Sequence, residues 1–393
     1  MKKPFFSIII PTKNRSSIVG NAIASLQMQI FDDIEIIVVD NDDTEKTAKA
    51  VSKIDDSRII HFRTGNLSMP DNWEFGTTKC RGEYMLFLED KQVLKTYALE
   101  KVFDAVNTGN HRIVSWLMDY FAHGKVVKNP DCLPDGSARE LESDQIFSDF
   151  VNFKIRCVGD AFPRGINSCL HRGLSEKIHR GPFSRLCLAF APDLTMGFQQ
   201  LNIEDRFFHI SEPLVTSDAN ERFSNGMSII QKGELFQKFM SQIGWDVDDY
   251  HKYVPLKIRT FPNINLNDYF HLASVLGGSM GRHKLNIPKY FAYIYFDIIE
   301  TSGNLLIDMS EEMALWHKAL NERNSEFRKD VLDELEKFKQ IRQIFKRPIT
   351  IGDKCKTIGK ILGLDHVWRS MKGTNQDPEV YKDMLDYISQ TKY

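Results

Sequence analysis

Two short β-branched runs, Phe6-Ser-Ile-Ile-Ile10 and Glu35-Ile-Ile-Val-Val39, constrain the fold of this chain more than any other feature. Neither has helical period, so both read as buried parallel strands. Between them, Ile18 to Gln29 carries Ile18, Ala22, Ile23 and Leu26 at helical spacing. Strand, helix and strand at this spacing make a βαβ unit, whose crossover is right-handed. The alternation continues with a helix over Thr44–Lys53, a third strand over Arg58–Phe62 and a fourth over Tyr84–Leu88. It predicts an α/β fold on a doubly wound, mainly parallel sheet.

Beyond Leu94 the pattern loosens. Ala98–Val106 reads as a helix and Arg112–Met118 as a strand. Asn129–Ser143, rich in Pro, Asp, Gly and Ser, reads as a loop. Gly159–Asp193 reads as irregular chain around a site, and strands close near Val215. From Met227 the texture is helical: Ile229–Ile243, Leu266–Leu276, Lys289–Ile299 and one long amphipathic helix over Met309–Phe345. Lys346–Lys372 is basic. A chain of 393 residues exceeds one compact core. The expected division is an α/β domain over residues 1–225 and a mostly α-helical C-terminal domain over 226–393.

A net charge of -2 and the lack of zinc-finger or RNA-binding motifs argue against nucleic acid as a partner. The six cysteines are scattered without a CxxC pair, which disfavours zinc and suits reduced, mostly buried thiols. The apolar stretch Phe5–Ile10 is too short for a signal segment, and Tyr290–Ile299 falls short of the roughly 20 residues that span a bilayer. A cytoplasmic protein is expected, with peripheral contact at the inner face of a membrane left open.

In open α/β sheets a ligand sits off the carboxyl ends of the strands. Those ends carry Pro11-Thr-Lys-Asn-Arg15, Asp40-Asn-Asp-Asp-Thr44 and Glu89-Asp-Lys-Gln92. Any one could be a solvated turn; three polar, mostly acidic ends together outline a pocket. No GxGxxG and no GxxxxGK[ST] follows the first strand, which disfavours dinucleotide and P-loop chemistry.

The runs Phe6-Ser-Ile-Ile-Ile-Pro-Thr-Lys-Asn-Arg15 and Ile36-Ile-Val-Val-Asp-Asn41 resemble the start of family 2 glycosyltransferases of the GT-A (Rossmann-like) fold. Leu67-Ser-Met-Pro-Asp-Asn-Trp-Glu-Phe-Gly76 and Arg81-Gly-Glu-Tyr84 resemble the subgroup with an Asp-Asn-Trp element, whose bacterial members build surface polysaccharides. The resemblance implies a mixed, mainly parallel sheet and a nucleotide pocket. Asp40 would bind the base or ribose, and Pro11, Thr12, Asn14, Arg15 and Asn72 would lie around it. A carboxylate is acceptor-only and suits the donors of uracil and ribose, so uridine is the expected base. The competing reading of Asp40 is a helix N-cap.

Family members carry an Asp-x-Asp type motif after the fourth strand, whose last Asp binds a divalent metal. Here the segment is Leu88-Glu-Asp-Lys-Gln-Val-Leu94, with Glu89 and Asp90 retained and Lys91 where that Asp is expected. Mg²⁺ takes hard oxygen ligands, and an ammonium repels it. Mn²⁺ or Mg²⁺ is therefore disfavoured as a cofactor. Either Lys91 replaces the metal at the leaving diphosphate, or the site is degenerate, or Lys91 points to solvent.

Glycosyl transfer needs a base for the acceptor hydroxyl. Ala191-Pro-Asp-Leu-Thr195 resembles the family's Pro-Asp element, which makes Asp193 the candidate base. A cap of a helix over Leu194–Leu201 is its rival role, and Glu204 or Asp205 is the alternative base. Arg164 and His171 are weaker candidates for phosphate contact, against a surface arginine and a packed histidine; His209 receives no role. The expected reaction moves a sugar from a UDP-sugar to a hydroxyl of a glycan or lipid-linked glycan, with inversion. A non-catalytic scaffold homologue is the rival class. A nucleotidyltransferase is disfavoured because no GxGxRxxP-like loop follows Ile10. The C-terminal helices could form a homodimer seam, meet an anionic membrane, or pack as a plain subdomain.

Overall fold

The computed structural model describes residues 3–122, 124–127, 136–154, 161–188, 191–219, 234–244, 251–305, 307–346 and 384–390. Its centre is a ten-stranded mixed sheet of order β3-β2-β1-β4-β9-β6-β10-β5, with β7 on β6 and β8 on β10. The strands are β1 (Phe6–Thr12), β2 (Ile34–Asp40), β3 (Ile59–Arg63), β4 (Tyr84–Phe87), β5 (Gln92–Leu94), β6 (Ile113–Ala122), β7 (Lys125–Val127), β8 (Ala138–Glu142), β9 (Ser168–His171) and β10 (Arg206–Asp218). The β3-β2-β1-β4 block is parallel throughout, and β6 runs parallel to β10. β9 lies antiparallel between β4 and β6.

The period of two in β1, β2 and β4 divides the core. Phe6, Ile8, Ile10, Ile36, Val38 and Leu86 face helices α1 (Val19–Gln27) and α4 (Ala98–Gly109). Ile9, Ile37, Val39, Met85 and Phe87 face the other way, towards α3 (Met69–Lys79). Both faces are covered, which is why these strands are continuously apolar. Trp73 of α3 stacks on Phe87 with centroids 4.6 Å apart. Gly76 lets α3 approach this closely, since a Cβ there would lie 2.5 Å from Ile9 Cγ2. Gly82 does the same for the chain entering β4, where a Cβ would meet Ser7 N at 2.7 Å.

The remaining elements before the helical region are α2 (Lys46–Val51), α5 (Ser143–Val151), α6 (Arg172–His179) and α7 (Pro192–Ile203). Helices Glu234–Ile243, Phe261–Leu276, Ile287–Leu305, Ser310–Asn321, Ser325–Lys346 and Met384–Gln390 follow. The apolar cluster on the α3 face runs on into this region through Leu266, Tyr269, Tyr290, Trp316 and Leu335. The helices thus extend the sheet's own core. Among the described residues no helix is long and apolar enough to cross a membrane.

Several expectations need correction. The Thr44–Lys53 helix shrinks to α2. The Asn129–Ser143 segment contains β8, an exposed strand without apolar alternation, and leads into α5. Gly159–Asp193 contains β9 and α6 and is irregular only in part. The long Met309–Phe345 helix is two helices, because Asn324 Oδ1 accepts from Phe327 N and caps a second start. Residues 229–233, the 225/226 division and the basic stretch after Lys346 lie outside the described residues. Cys80, Cys169 and Cys187 are free thiols, the last two buried; Cys132, Cys157 and Cys355 lie outside the described residues.

Candidate active site

The parallel block brings the ends of β1, β2 and β4 side by side. The β1 end reverses at Asn14, whose φ of 57° is a left-handed conformation that asparagine tolerates. Its backbone N–H donates to Asp42 Oδ1, and its side-chain amide donates to Asp43 Oδ2 at 3.0 Å. The loops after β1 and β2 are thereby locked together. Pro11 and Thr12 are buried in β1 itself, and Thr12 O accepts from Asn41 N at 3.2 Å.

Asp40 is fully buried at the end of β2. Its Oδ1 accepts from Asp42 N at 2.8 Å, and Oδ2 lies 3.2 Å from His61 Nε2. It caps no helix: α2 starts behind Glu45 without a side-chain cap. Burial raises its pKa, against the bond from Asp42 N. His61 was not singled out in the sequence. It neighbours Asp40 only because β3 pairs with β2, and no local signal carries that register.

Asn72 lies one turn into α3 and is 1% exposed. Its amide donates to Val39 O at 3.0 Å and Asn41 Oδ1 at 3.3 Å, and its oxygen accepts from Thr64 Oγ1 at 2.5 Å. Both amide hydrogens are committed, so Asn72 ties α3 to the end of β2.

After β4, Glu89, Asp90 and Lys91 turn into β5. Asp90 is 3% exposed and accepts from Arg15 Nη1 at 2.8 Å. Lys91 Nζ lies 3.7 Å from Glu89 Oε2, and its side chain is only 17% exposed. Lys91 therefore points into the cluster and not out to solvent. Burial raises the pKa of Glu89, opposed by Lys91 and reinforced by Asp193. Burial also raises that of Asp90, opposed by Arg15. Both shifts make these carboxyls harder to ionise than a free one, and the neighbouring cations oppose that.

Asp193 closes the site from α7. The N-cap of α7 is Ala191, not Asp193. The Asp193 carboxylate instead accepts from Arg164 Nε at 2.6 Å. Arg164 is held in turn by Asn167, whose Oδ1 accepts from Arg164 N at 2.9 Å and whose amide donates to Trp116 O at 2.8 Å. The loop before α7 is clamped by Glu74 of α3, which accepts from Leu186 N, Cys187 N and His179 Nε2 at 2.9, 2.8 and 2.6 Å.

The other candidates lie elsewhere. His171 pairs in register with Tyr84 at the start of β4, and its Nδ1 accepts from Gly173 N, capping α6. That is the sheet edge opposite the cluster. Glu204 pairs with Arg112 at 3.2 Å, and Glu204 and Asp205 bind Ser143 through their carbonyls. These sit at the far end of α7 by the start of β6, so neither replaces Asp193. His209 is buried with Nδ1 2.9 Å from Ser115 Oγ.

Glu89 faces an ammonium and Asp90 a guanidinium, and among the described residues no group of three His, Cys, Asp or Glu side chains could hold a metal. The arrangement can hold an anion near Lys91 and Arg164, donors near Asp40, and an acidic proton at Asp193.

Residues 7–157 match the family model described as Glycosyl transferase family 2. The chain is 31% identical over 157 residues to a GalNAc(5)-diNAcBac-PP-undecaprenol beta-1,3-glucosyltransferase of Campylobacter jejuni, covering 38% of this chain and 48% of that protein. It is 29% identical over 104 residues to an uncharacterized glycosyltransferase of Haemophilus influenzae, covering 26% of this chain and 42% of that protein. The chain thus spans about half the length of the curated relatives it matches. Among solved structures it is similar to S. aureus TarS 1-349 in complex with UDP-GlcNAc, at 15% identity and a TM-score of 0.46, covering 88% of this chain and 93% of that one. A longer S. aureus TarS structure gives 16% identity and a TM-score of 0.44, covering 85% of this chain and 54% of that one.

Proposed function

We propose, from the premise that residues 7–157 of this chain are a family 2 glycosyltransferase domain, that the protein transfers a sugar from a uridine diphosphate donor to a hydroxyl of a glycan, with inversion and without a metal ion. One observation carries the reading. Glu89, Asp90, Lys91, Arg15, Asp193 and Arg164 meet at the carboxyl ends of β1 and β4, beside a buried Asp40.

Each group has work suited to its chemistry. Asp40, acceptor-only when ionised, binds donors of the base or ribose. The bond from Asn14 N to Asp42 ties the loops after β1 and β2 together beside it. The acceptor oxygen attacks the anomeric carbon while its proton passes to Asp193. The bond from the anomeric carbon to the diphosphate breaks, and its electron pair leaves with the diphosphate. Lys91 meets that developing charge, the task a metal ion performs in relatives with a third carboxylate. Arg164 does not move a proton; it fixes the carboxylate that does. A lipid-linked glycan as acceptor is supported by the Campylobacter relative, whose name carries PP-undecaprenol.

Calorimetric binding and donor hydrolysis over a panel of nucleotide-sugars, with and without EDTA, tests this. UDP-sugar turnover that EDTA leaves unchanged is expected. Strict dependence on Mn²⁺ or Mg²⁺ would overturn the role of Lys91, and no binding of any nucleotide would favour a scaffold protein instead.

A further inference from the structure

A cavity of about 170 Å³ lies between the start of α3, the chain before α7 and the helix Phe261–Leu276. That is space for on the order of ten waters, enough for one sugar ring. Its wall includes Asp71, Phe183, Arg185, Thr195, Asp268 and His271, and none of the cluster of Asp40, Glu89, Asp90, Lys91 and Arg164. Asp193 joins the two places. It is the charged group that bears on both Glu89 and Asp268, and Thr195 lies two residues along α7.

Asp268 is the informative member. It is 3% exposed, and its Oδ2 is buried with no hydrogen-bond partner among the described residues. Ala191 N donates to this carboxyl, and the buried oxygen left over beside that bond is costly unless something repays it. Burial, reinforced by Asp193, pushes its pKa well up. Ionised or not, the carboxyl can accept from a hydroxyl, and an acidic group does not invite an anion. The rest of the wall agrees. Arg185 and Asp71 neutralise each other at 2.9 Å and leave no net charge to select an ion. His271 lies edge-on to Phe183 at 5.5 Å and flat on Tyr253 at 4.8 Å. Burial holds its pKa below the ordinary value, so the ring is an uncharged surface. Hydroxyl-matching groups beside flat rings suit a neutral pyranose, whose edge is polar and whose faces carry C–H groups.

We propose that this cavity is a subsite for a pyranose unit of the acceptor glycan, with Asp268 and His271 as specificity-determining residues. The inference rests on the glycosyltransferase reading above. It adds that the helical region reads the acceptor, and that Asp193 stands between the acceptor's sugar and the donor's diphosphate.

The test uses the full chain with methyl pyranosides of glucose, galactose and their 2-acetamido counterparts, read by saturation-transfer NMR, with UDP and UDP-GlcNAc binding by calorimetry in parallel. At least one pyranoside should bind. Asp268→Leu and His271→Ala should each weaken it ten-fold or more, while Asp268→Asn, which keeps a donor and an acceptor, retains most of it. UDP and UDP-GlcNAc affinity should be unchanged in all three variants. If Asp268→Leu fails to fold, the partly exposed His271→Ala carries the same comparison. No pyranoside binding, or binding indifferent to these changes, would overturn the proposal. So would variants that weaken UDP-GlcNAc but not UDP, which would assign the cavity to the donor's sugar. Loss of UDP binding in the unmodified protein is a separate result and sinks the glycosyltransferase reading instead.

Discussion

Arg164 grips Asp193 by a single oxygen. Its Nε and Nη2 lie 2.6 and 2.5 Å from Oδ2, and among the described residues no hydrogen bond reaches Oδ1. The contact fixes the carboxylate's orientation and leaves one oxygen for a substrate proton. It also spans 29 residues of chain, so α7 and the segment before β9 must both be in place before the base is aimed.

Asp193→Asn should therefore lower transfer by about 10²–10⁴-fold, the usual weight of a general base, and leave UDP affinity intact. Arg164→Gln should lower kcat while KM for the donor changes little, and Arg164→Lys should recover part of the loss. Steady-state kinetics beside calorimetry decides this. Loss of UDP binding in Asp193→Asn would mean that the residue supports the fold rather than the chemistry.

Lys91→Ala should cost about 10²–10³-fold in turnover, comparable to removing a preorganised donor at a developing charge, with thermal stability unchanged. Lys91→Asp restores the third carboxylate, and its residual turnover should become sensitive to EDTA and respond to added Mn²⁺. A Lys91→Ala enzyme as fast as the parent would remove Lys91 from the mechanism.

Asn72→Leu should destabilise the protein by about 1–3 kcal/mol, because it removes the buried donors to Val39 O and Asn41 Oδ1. UDP affinity of the folded variant, measured well below its melting temperature, should stay within a few-fold of the parent. A large loss of affinity with normal stability would place Asn72 in the nucleotide site after all.

The Glu74–His179 contact makes stability fall with rising pH. The hydrogen bond to Glu74 raises the pKa of His179 above its ordinary 6.5. For a group whose folded pKa is raised, the stabilisation is full below the unfolded value and is lost as pH climbs through the folded value. Urea unfolding should thus show lower stability at pH 8 than at pH 6 from this contact, and His179→Gln should flatten that difference. An unchanged difference in the variant would rule the contact out as its source. The backbone donors Leu186 and Cys187 keep Glu74 engaged in either case.

The strands of the parallel block were legible because burial on both faces writes itself into consecutive residues. Helix α3 was missed although Ser68 and Asp71 carry its start signal, and Ser68 does cap it. Its composition is too polar to show an apolar stripe. Strand β8 was missed because Ala-Arg-Glu-Leu-Glu is an exposed strand with nothing to alternate. Of the cluster, Asp40, Asp90 and Lys91 were singled out by their positions after apolar runs, and Asp193 by the resemblance of its Pro-Asp element. His61 and Asp268 were not, because each acquires its surroundings from elements remote in sequence.

The sequence by itself determined that this chain builds a parallel sheet with acidic strand ends, and that a lysine stands where a metal-binding carboxylate is expected. The first is a local fact of residue type and period; the second is what the resemblance to family 2 glycosyltransferases implies. Only the tertiary structure decided what those residues face. It turned Lys91 inward to Glu89, gave Asp193 to Arg164 and spent Asn72 on the backbone. Strand order and helix docking set those partnerships, and they arise from the packing of the whole core, which no short stretch of chain encodes.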